Sequence, residues 1–299
     1  MHITRTMVDA PEPFRLWSTA WISGWGDLAP FYVDVENRAL TRILNLTSGD
    51  AVKSLWRQVG GSKVEVRVES ARKLRSDDVT DVKAQVSSCL RLDEDYTEFY
   101  ALCSSNQRFR WVRRLAAGRL LRAPTVFEDV VKTICTTNCS WAFSKIMSSN
   151  LCRALGAAFD PGLHAFPTAA EMARTTASRL RRDARTGYRS AYLVDLARSV
   201  LKGELALEGW RGSDRTTEQL RAEIQSVRGI GAYGTAYVLN WVGRFECLTI
   251  DRWMRKKFYE KHRGGKPVSD EAIVEHYEKF GEWSGLFFWV DMTREWLAP

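Results

Sequence analysis

The run AEIQSVRGIGAYGTAYVLNWVGRFECLTIDRWMRKKF, residues 222–258, decides how the rest of the chain is read. It divides into a helix, a Gly-Ile-Gly turn at Gly229, Ile230 and Gly231, and a second helix from Tyr233 to about Val242. Two glycines around one apolar residue let the backbone turn sharply while Ile230 plugs the gap between the helices. Such a turn leaves backbone N–H groups unpaired at the start of the second helix. With the positive end of the helix dipole behind them, those donors suit a phosphate. A short loop then delivers Asp251, followed by a helix rich in basic residues.

Outward from this hairpin the chain has two characters. The N-terminal third reads as strands: FYVDVENRALTRILNL alternates, and KVEVRVES at Lys63–Ser70 sets Val64, Val66 and Val68 opposite Glu65, Arg67 and Glu69, the period of a half-buried sheet. Between them TSGDAVKSLWRQVG reads as a helix, with Ser48 or Asp50 as its N-cap. After residue 105 helical spacing dominates, as in PTVFEDVVKTICTTN, in PTAAEMARTT with Pro167 at a helix start, and in TTEQLRAEIQSV with Glu218 completing a capping box. The expected architecture is mainly α with an N-terminal β-rich domain (α+β): residues 1–105 β-rich, residues 106–299 helical, with the hairpin at about 220–245.

Composition narrows the function. No apolar run approaches the roughly 20 residues of a membrane span. No apolar segment follows the first basic residue, so an intracellular protein is expected. The six cysteines lack the spacing of an iron–sulfur cluster and are expected as free thiols, and His2, His164, His262 and His276 form no metal-ligand pattern. The net charge of +8 favours an anionic partner. Charge is dense after the motif, where Arg255, Lys256, Lys257, Lys261, Arg263 and Lys266 face only Glu260. Solvated surface charge reads equally from that run.

A carboxylate beside a phosphate-binding turn repels the backbone it would help to hold. Chemistry resolves the conflict, because breaking an N-glycosidic bond puts positive charge on the sugar, which a carboxylate stabilises. The alternative is that Asp251 simply caps the helix starting at Arg252. The segment resembles the signature of the helix-hairpin-helix DNA glycosylase superfamily: Val227, then Gly229-Ile230-Gly231, then Thr235-Ala236, then Asp251. Arg228 stands where that family usually has proline.

Two further segments match in order. GRLLRAPTVFEDVVKTICTTNCSWAFSKIMSSNLCRALG, residues 118–156, is similar to the family's first core helices, and places Asn138 where the 8-oxoguanine branch fills the gap left by the flipped base. TGYRSAYLVDLARSV, residues 186–200, resembles the Gly-Tyr-Arg helix, making Tyr188 either a wedge in the opposite strand or a core aromatic beside Tyr192.

The resemblance implies double-stranded DNA carrying a damaged base as partner, action as a monomer, and Asp251 as the catalytic carboxylate. Phosphate contacts are implied at Gly229, Gly231, Arg228, Thr235, Arg252, Arg255 and Lys256. The family position that holds a lysine in enzymes that also cut the backbone is Tyr233 here. A phenol forms no imine, so hydrolysis without lyase activity is implied. Tyr233, Trp141, Trp283, Phe288 and Trp289 are candidates for a stacking pocket or for core. An aromatic pocket suits alkylated purines, whereas Phe288 and Trp289, in a segment like the lesion-stacking helix of the 8-oxoguanine branch, keep that substrate open. So does a plain DNA-binding role for the hairpin. No cofactor is expected beyond a sodium or potassium ion, implied at the backbone carbonyls of Gln225, Val227 and Ile230.

Overall fold

Period-two alternation builds the N-terminal sheet. In the computed structural model, which describes residues 1–297, β1 (His2–Asp9), β2 (Phe31–Asp34), β3 (Ala39–Asn45), β4 (Ala51–Gln58) and β5 (Lys63–Ser70) form one antiparallel sheet in the order β1-β5-β4-β3-β2. Register follows the apolar face: Val66 pairs with Trp56, which pairs with Leu40, and all three are buried. The segment expected as a helix after Asp50 is β4. Val52, Ser54 and Trp56 point inward and Lys53, Leu55 and Arg57 are half-buried or exposed, so the sheet's two-residue period overrides the helical spacing. The N-terminal third also holds α1 (Leu16–Ile22), α2 (Ser76–Leu90) and α3 (Thr97–Ser105), which the strand reading passed over.

Helices carry the remainder: α4 (Arg110–Arg114), α5 (Val126–Thr136), α6 (Trp141–Leu155), α7 (Ala169–Ala173), α8 (Ala177–Asp183), α9 (Arg189–Leu201), α10 (Thr217–Ser226), α11 (Ala232–Trp241), α12 (Arg252–His262), α13 (Asp270–Glu278) and α14 (Ser284–Thr293). Their starts are set by hydroxyl and carboxylate caps: Thr125 for α5, Ser140 for α6, Thr168 for α7 and Thr216 for α10. Pro167 sits just before its helix, and the box at α10 is closed by Gln219 rather than Glu218. No helix among the described residues is long and apolar enough to cross a membrane.

The apolar interior forms two cores, and neither ends near residue 105. One packs the sheet and α1–α4 against Tyr237 and Trp241 of α11, α12, α13 and the fully buried α14; the other packs α5, α6, α9, α10 and the Val238–Leu239 side of α11. The chain therefore leaves the first core at α5 and returns to it after the hairpin. Where the cores meet, β3 and α5 are joined by a buried ion triad: the Arg42 guanidinium donates to Glu128 at 2.5 Å, and Lys132 lies 2.7 Å from the same carboxylate. Burial alone would raise the Glu128 carboxyl, but its two cations outweigh it and hold it below the ordinary value.

Glu128→Gln leaves two buried cations without an anion, so it is expected to cost about 3 kcal/mol or more of unfolding free energy. Urea denaturation should show a lowered midpoint with an unchanged slope.

Candidate active site

Asp251 occupies the N-cap of α12. One carboxylate oxygen accepts the Met254 N–H at 2.6 Å, and the other accepts the Tyr237 hydroxyl at 3.3 Å. Tyr237 is buried, and burial pushes its hydroxyl well above the ordinary value, with Tyr233 and the Asp251 charge acting in the same direction. It stays protonated and remains a donor. Tyr233, one turn earlier on α11, packs its ring 4.6 Å from Tyr237, and its hydroxyl is likewise raised, chiefly by burial. The carboxylate is thus clamped by a helix terminus and a phenol.

That clamp faces a cavity of about 1100 Å³ between the two cores. Its N-terminal wall is Trp21 and Trp25. Trp25 donates its indole N–H to Asp129 at 2.8 Å and packs 4.2 Å from Trp241. Trp289 lies on α14, donates to the Ile22 carbonyl at 2.9 Å and meets Tyr237 edge-on at 5.7 Å. Trp141 is 39% exposed at the start of α6, with its indole N–H 3.4 Å from Asp27. Trp253, on α12, stands against Trp296 at 5.3 Å, and both line the opening. Asn138 lines the cavity with φ of 48° in the α5–α6 turn. Arg189 pins that turn from beneath, donating to the carbonyls of Ile134 and Thr137.

The structure thus brings Asp251, Tyr233, Asn138, Trp141, Trp289, Arg252 and Arg255 to one cavity. Others are elsewhere. Phe288 is fully buried against Tyr277 at 5.4 Å, because successive residues of α14 project about 100° apart and Trp289 turns toward the cavity. Trp283 stacks on Phe245 at 5.6 Å and donates to Glu98. Tyr188 is 50% exposed at the N-terminus of α9, edge-on to Tyr192, and is neither core nor cavity wall.

The hairpin departs from expectation in detail. Gly229 has φ of 97°, and a Cβ there would come within 2.6 Å of the Tyr192 ring. Only glycine fits. Gly231 has φ of −94° and open space where a Cβ would stand, so its turn needs no glycine. Thr235 is buried and its hydroxyl returns to the Gly231 carbonyl at 3.0 Å, which removes it from the outward-facing donors. Arg228 lies over Tyr192 and 3.3 Å from Asp195.

The basic run is partly neutralised within the fold. Arg255 is bidentate to Asp270, Lys257 pairs with Glu295, Lys261 with Asp291, and the exposed Lys256 sits 3.7 Å from Glu260. Arg252, Arg263 and Lys266 are exposed without an ion-pair partner among the described residues. Near the turn, the Val227 carbonyl accepts the Ile230 N–H at 3.0 Å. Neutral oxygens at the negative end of α10 suit a singly charged cation better than a divalent one. No group of three His, Cys, Asp or Glu side chains gathers for a metal among the described residues, and all six cysteines are free.

Sequence reading missed Tyr237, Trp25, Asp27 and Arg189. Tyr237 was findable, since it lies four residues after Tyr233 on the same helical face. Arg189 is the arginine of the Gly-Tyr-Arg segment. Nothing local marked Trp25 or Asp27, which reach the site only through the packing of the N-terminal segment.

No protein-family model matches the chain, and the curated proteins contain no significant match. Solved structures do match. The 3-methyladenine DNA glycosylase from Archaeoglobus fulgidus superposes with a TM-score of 0.75 at 17% identity, over 98% of this chain and all (100%) of that one. MBOgg1 in complex with a low-affinity DNA ligand gives 0.74 at 19% identity, over 98% and 96%. The apo 8-oxoguanine glycosylase/lyase of Clostridium acetobutylicum gives 0.67 at 19%, over 92% and 94%. The fold is therefore the one these DNA glycosylases share, with the N-terminal sheet included, as the resemblance implied.

Gly229→Ala should cost roughly 1–3 kcal/mol from its strained φ alone, with the Tyr192 clash added. Gly231→Ala should stay within about 0.5 kcal/mol of the parent. Thermal unfolding of the two variants checks the contrast.

Proposed function

We propose that the protein is a DNA N-glycosylase that takes a damaged purine out of the duplex and hydrolyses its bond to deoxyribose. One observation carries this reading: a doubly anchored carboxylate, Asp251, stands on the wall of an aromatic cavity directly after the hairpin. A base inside a duplex is unreachable, so the target nucleotide must rotate into the cavity. Stacking surfaces at Trp25, Trp289, Tyr233 and Trp141 would receive it.

As the glycosidic bond breaks, its electron pair goes to the base nitrogen and positive charge appears on the sugar. The Asp251 carboxylate stabilises that charge. It also orients the water whose oxygen bonds to C1′ and accepts the proton that this water gives up.

The supporting surface fits a duplex. The open face at Gly231 lets a strand come close to the α11 N–H groups, with Arg228, Arg252 and Lys256 exposed nearby in the chain. A monovalent cation held by the carbonyls of Gln225, Val227 and Ile230 would add positive charge beside that strand. Tyr188, exposed and apart from the cavity, suits a wedge into the opposite strand. The enzyme would act as a monomer. Tyr233 stands at the position of the lyase lysine, and among the described residues no lysine lines the cavity, which supports hydrolysis without strand cleavage. The aromatic walls favour an alkylated purine. A second reading, 8-oxoguanine, draws on Asn138 at the cavity.

Duplexes carrying 3-methyladenine, 7-methylguanine, hypoxanthine or 8-oxoguanine should separate these readings. The protein should release base and leave an abasic site that breaks only after alkali. Asp251→Asn should cut the single-turnover rate by about 100-fold or more, with duplex affinity held within a few-fold. An unchanged rate would remove the enzyme and leave a DNA-binding module.

A further inference from the structure

We infer that Asp27 reads the positive charge of the flipped base, which makes a purine alkylated at a ring nitrogen, and hence cationic, the preferred substrate. This rests on the glycosylase reading and sharpens it.

Two carboxylates line the cavity, Asp251 and Asp27. Asp251 has both oxygens engaged. Asp27 belongs to the opposite, N-terminal wall, in the short 3₁₀ turn Trp25–Asp27 that follows α1. Its side chain is 43% exposed, and one oxygen takes two long contacts, from the Trp141 indole N–H at 3.4 Å and the Lys145 ammonium at 3.5 Å. The other oxygen has no hydrogen-bond partner among the described residues.

The neighbours of this carboxylate are indoles. Trp25 is two residues away and Trp141 touches it, their rings 6.5 Å apart. Indole faces attract cations through the ring quadrupole. A carboxylate with a free oxygen beside them adds a Coulombic attraction strengthened by partial enclosure. Aromatic walls alone would accept any flat base; the added carboxylate selects one that carries positive charge or offers N–H donors. The cationic side chains on the lining are Arg252 and Arg255, both on α12, and Arg255 is held by Asp270. Lys145 reaches Asp27 only through one long, exposed contact at 3.5 Å, so the second Asp27 oxygen still presents negative charge on this wall.

The timing of charge transfer defines the kinetic signature. The base is cationic while bound and becomes neutral when the glycosidic electron pair passes to it. Asp27 therefore stabilises the bound lesion more than the transition state, whose charge has moved to the sugar beside Asp251. Its loss should weaken binding and leave the maximal rate equal or higher, not lower.

Asp27→Asn keeps the shape and an acceptor for Trp141 while removing the charge. In single-turnover assays on a 7-methylguanine duplex, the half-saturating concentration should rise about tenfold or more, the scale of a charge-assisted contact, with the maximal rate equal or raised but not lowered. Hypoxanthine, a neutral purine, should be released by parent and variant alike, and affinity for undamaged duplex should not change. Equal losses on both lesions, an unchanged half-saturation on 7-methylguanine, or no release of 7-methylguanine by the parent would each overturn the assignment. The glycosylase reading is scored separately, by whether Asp251→Asn abolishes release of whichever lesion the parent accepts.

Discussion

The seam between the two cores is held by two neighbouring acids in the first turn of α5, and the cavity depends on that seam. Glu128 faces Arg42 and Lys132; Asp129 accepts the Trp25 indole N–H, the Ala123 N–H and the Arg211 guanidinium. Both are buried, at a cost that only close donors offset. Burial raises the Asp129 carboxyl, with Arg211 and its hydrogen bonds pulling the other way. The position of Trp25 follows from this contact, and with it the N-terminal wall of the site. A second buried network fixes the other wall. Arg91 and Arg122 donate to the carbonyls of Asn240 and Trp241 at the end of α11 while sharing Glu94. Burial would raise the Glu94 carboxyl, but the two guanidiniums hold it at about 2. The helix that carries Tyr233 and Tyr237 is thereby anchored at its far end.

The parts of the fold legible in the sequence are those whose signal is local. The hairpin announced itself through Gly229, whose positive φ and contact with Tyr192 admit no other residue. β5 announced itself through strict alternation. The stretch Ala51–Gln58 did not, because its apolar spacing satisfies either period and only pairing with β3 and β5 decides it. The domain boundary expected at residue 105 rested on a change of sequence character, although the last strand ends at Ser70 and α2 and α3 already precede that residue. The cores follow a different division, set by the return of the chain after α11, which no local pattern encodes. Within the site, residues of the hairpin, the α5–α6 turn and α12 could be named from motifs. Trp25 and Asp27 could not, since their place depends on how the N-terminal segment crosses the cavity. Phe288 and Trp289 show the limit of motif reading: adjacent on α14, they project about 100° apart, one into the core and one to the cavity.

Helix capping and catalysis are alternatives for Asp251 in the sequence, and the cap seen in the structure is compatible with the proposed chemistry. The cap bond from Met254 occupies one oxygen at 2.6 Å, and it fixes the side-chain rotamer at the start of α12. The Tyr237 hydroxyl fixes the other oxygen. A carboxylate held this way undergoes little rearrangement when positive charge develops next to it, and fixed dipoles of that kind are what electrostatic stabilisation requires. Capping is then the means by which the acid is positioned.

Charge distribution follows the same economy. The basic run after Asp251 suggests a cationic face, yet four of its members sit against acids of the same chain: Asp270, Glu260, Glu295 and Asp291. Under the proposed function, a helix beside the reacting sugar with every cation free would compete with the developing oxocarbenium charge. Pairing these four cations within the chain reduces that competition and leaves Arg252 as the cation of α12 without an ion-pair partner among the described residues. In that proposal the grip on phosphate would fall to the N–H groups at the start of α11 and to Arg252, which would hold a strand without placing a cluster of positive charge against the bond that breaks.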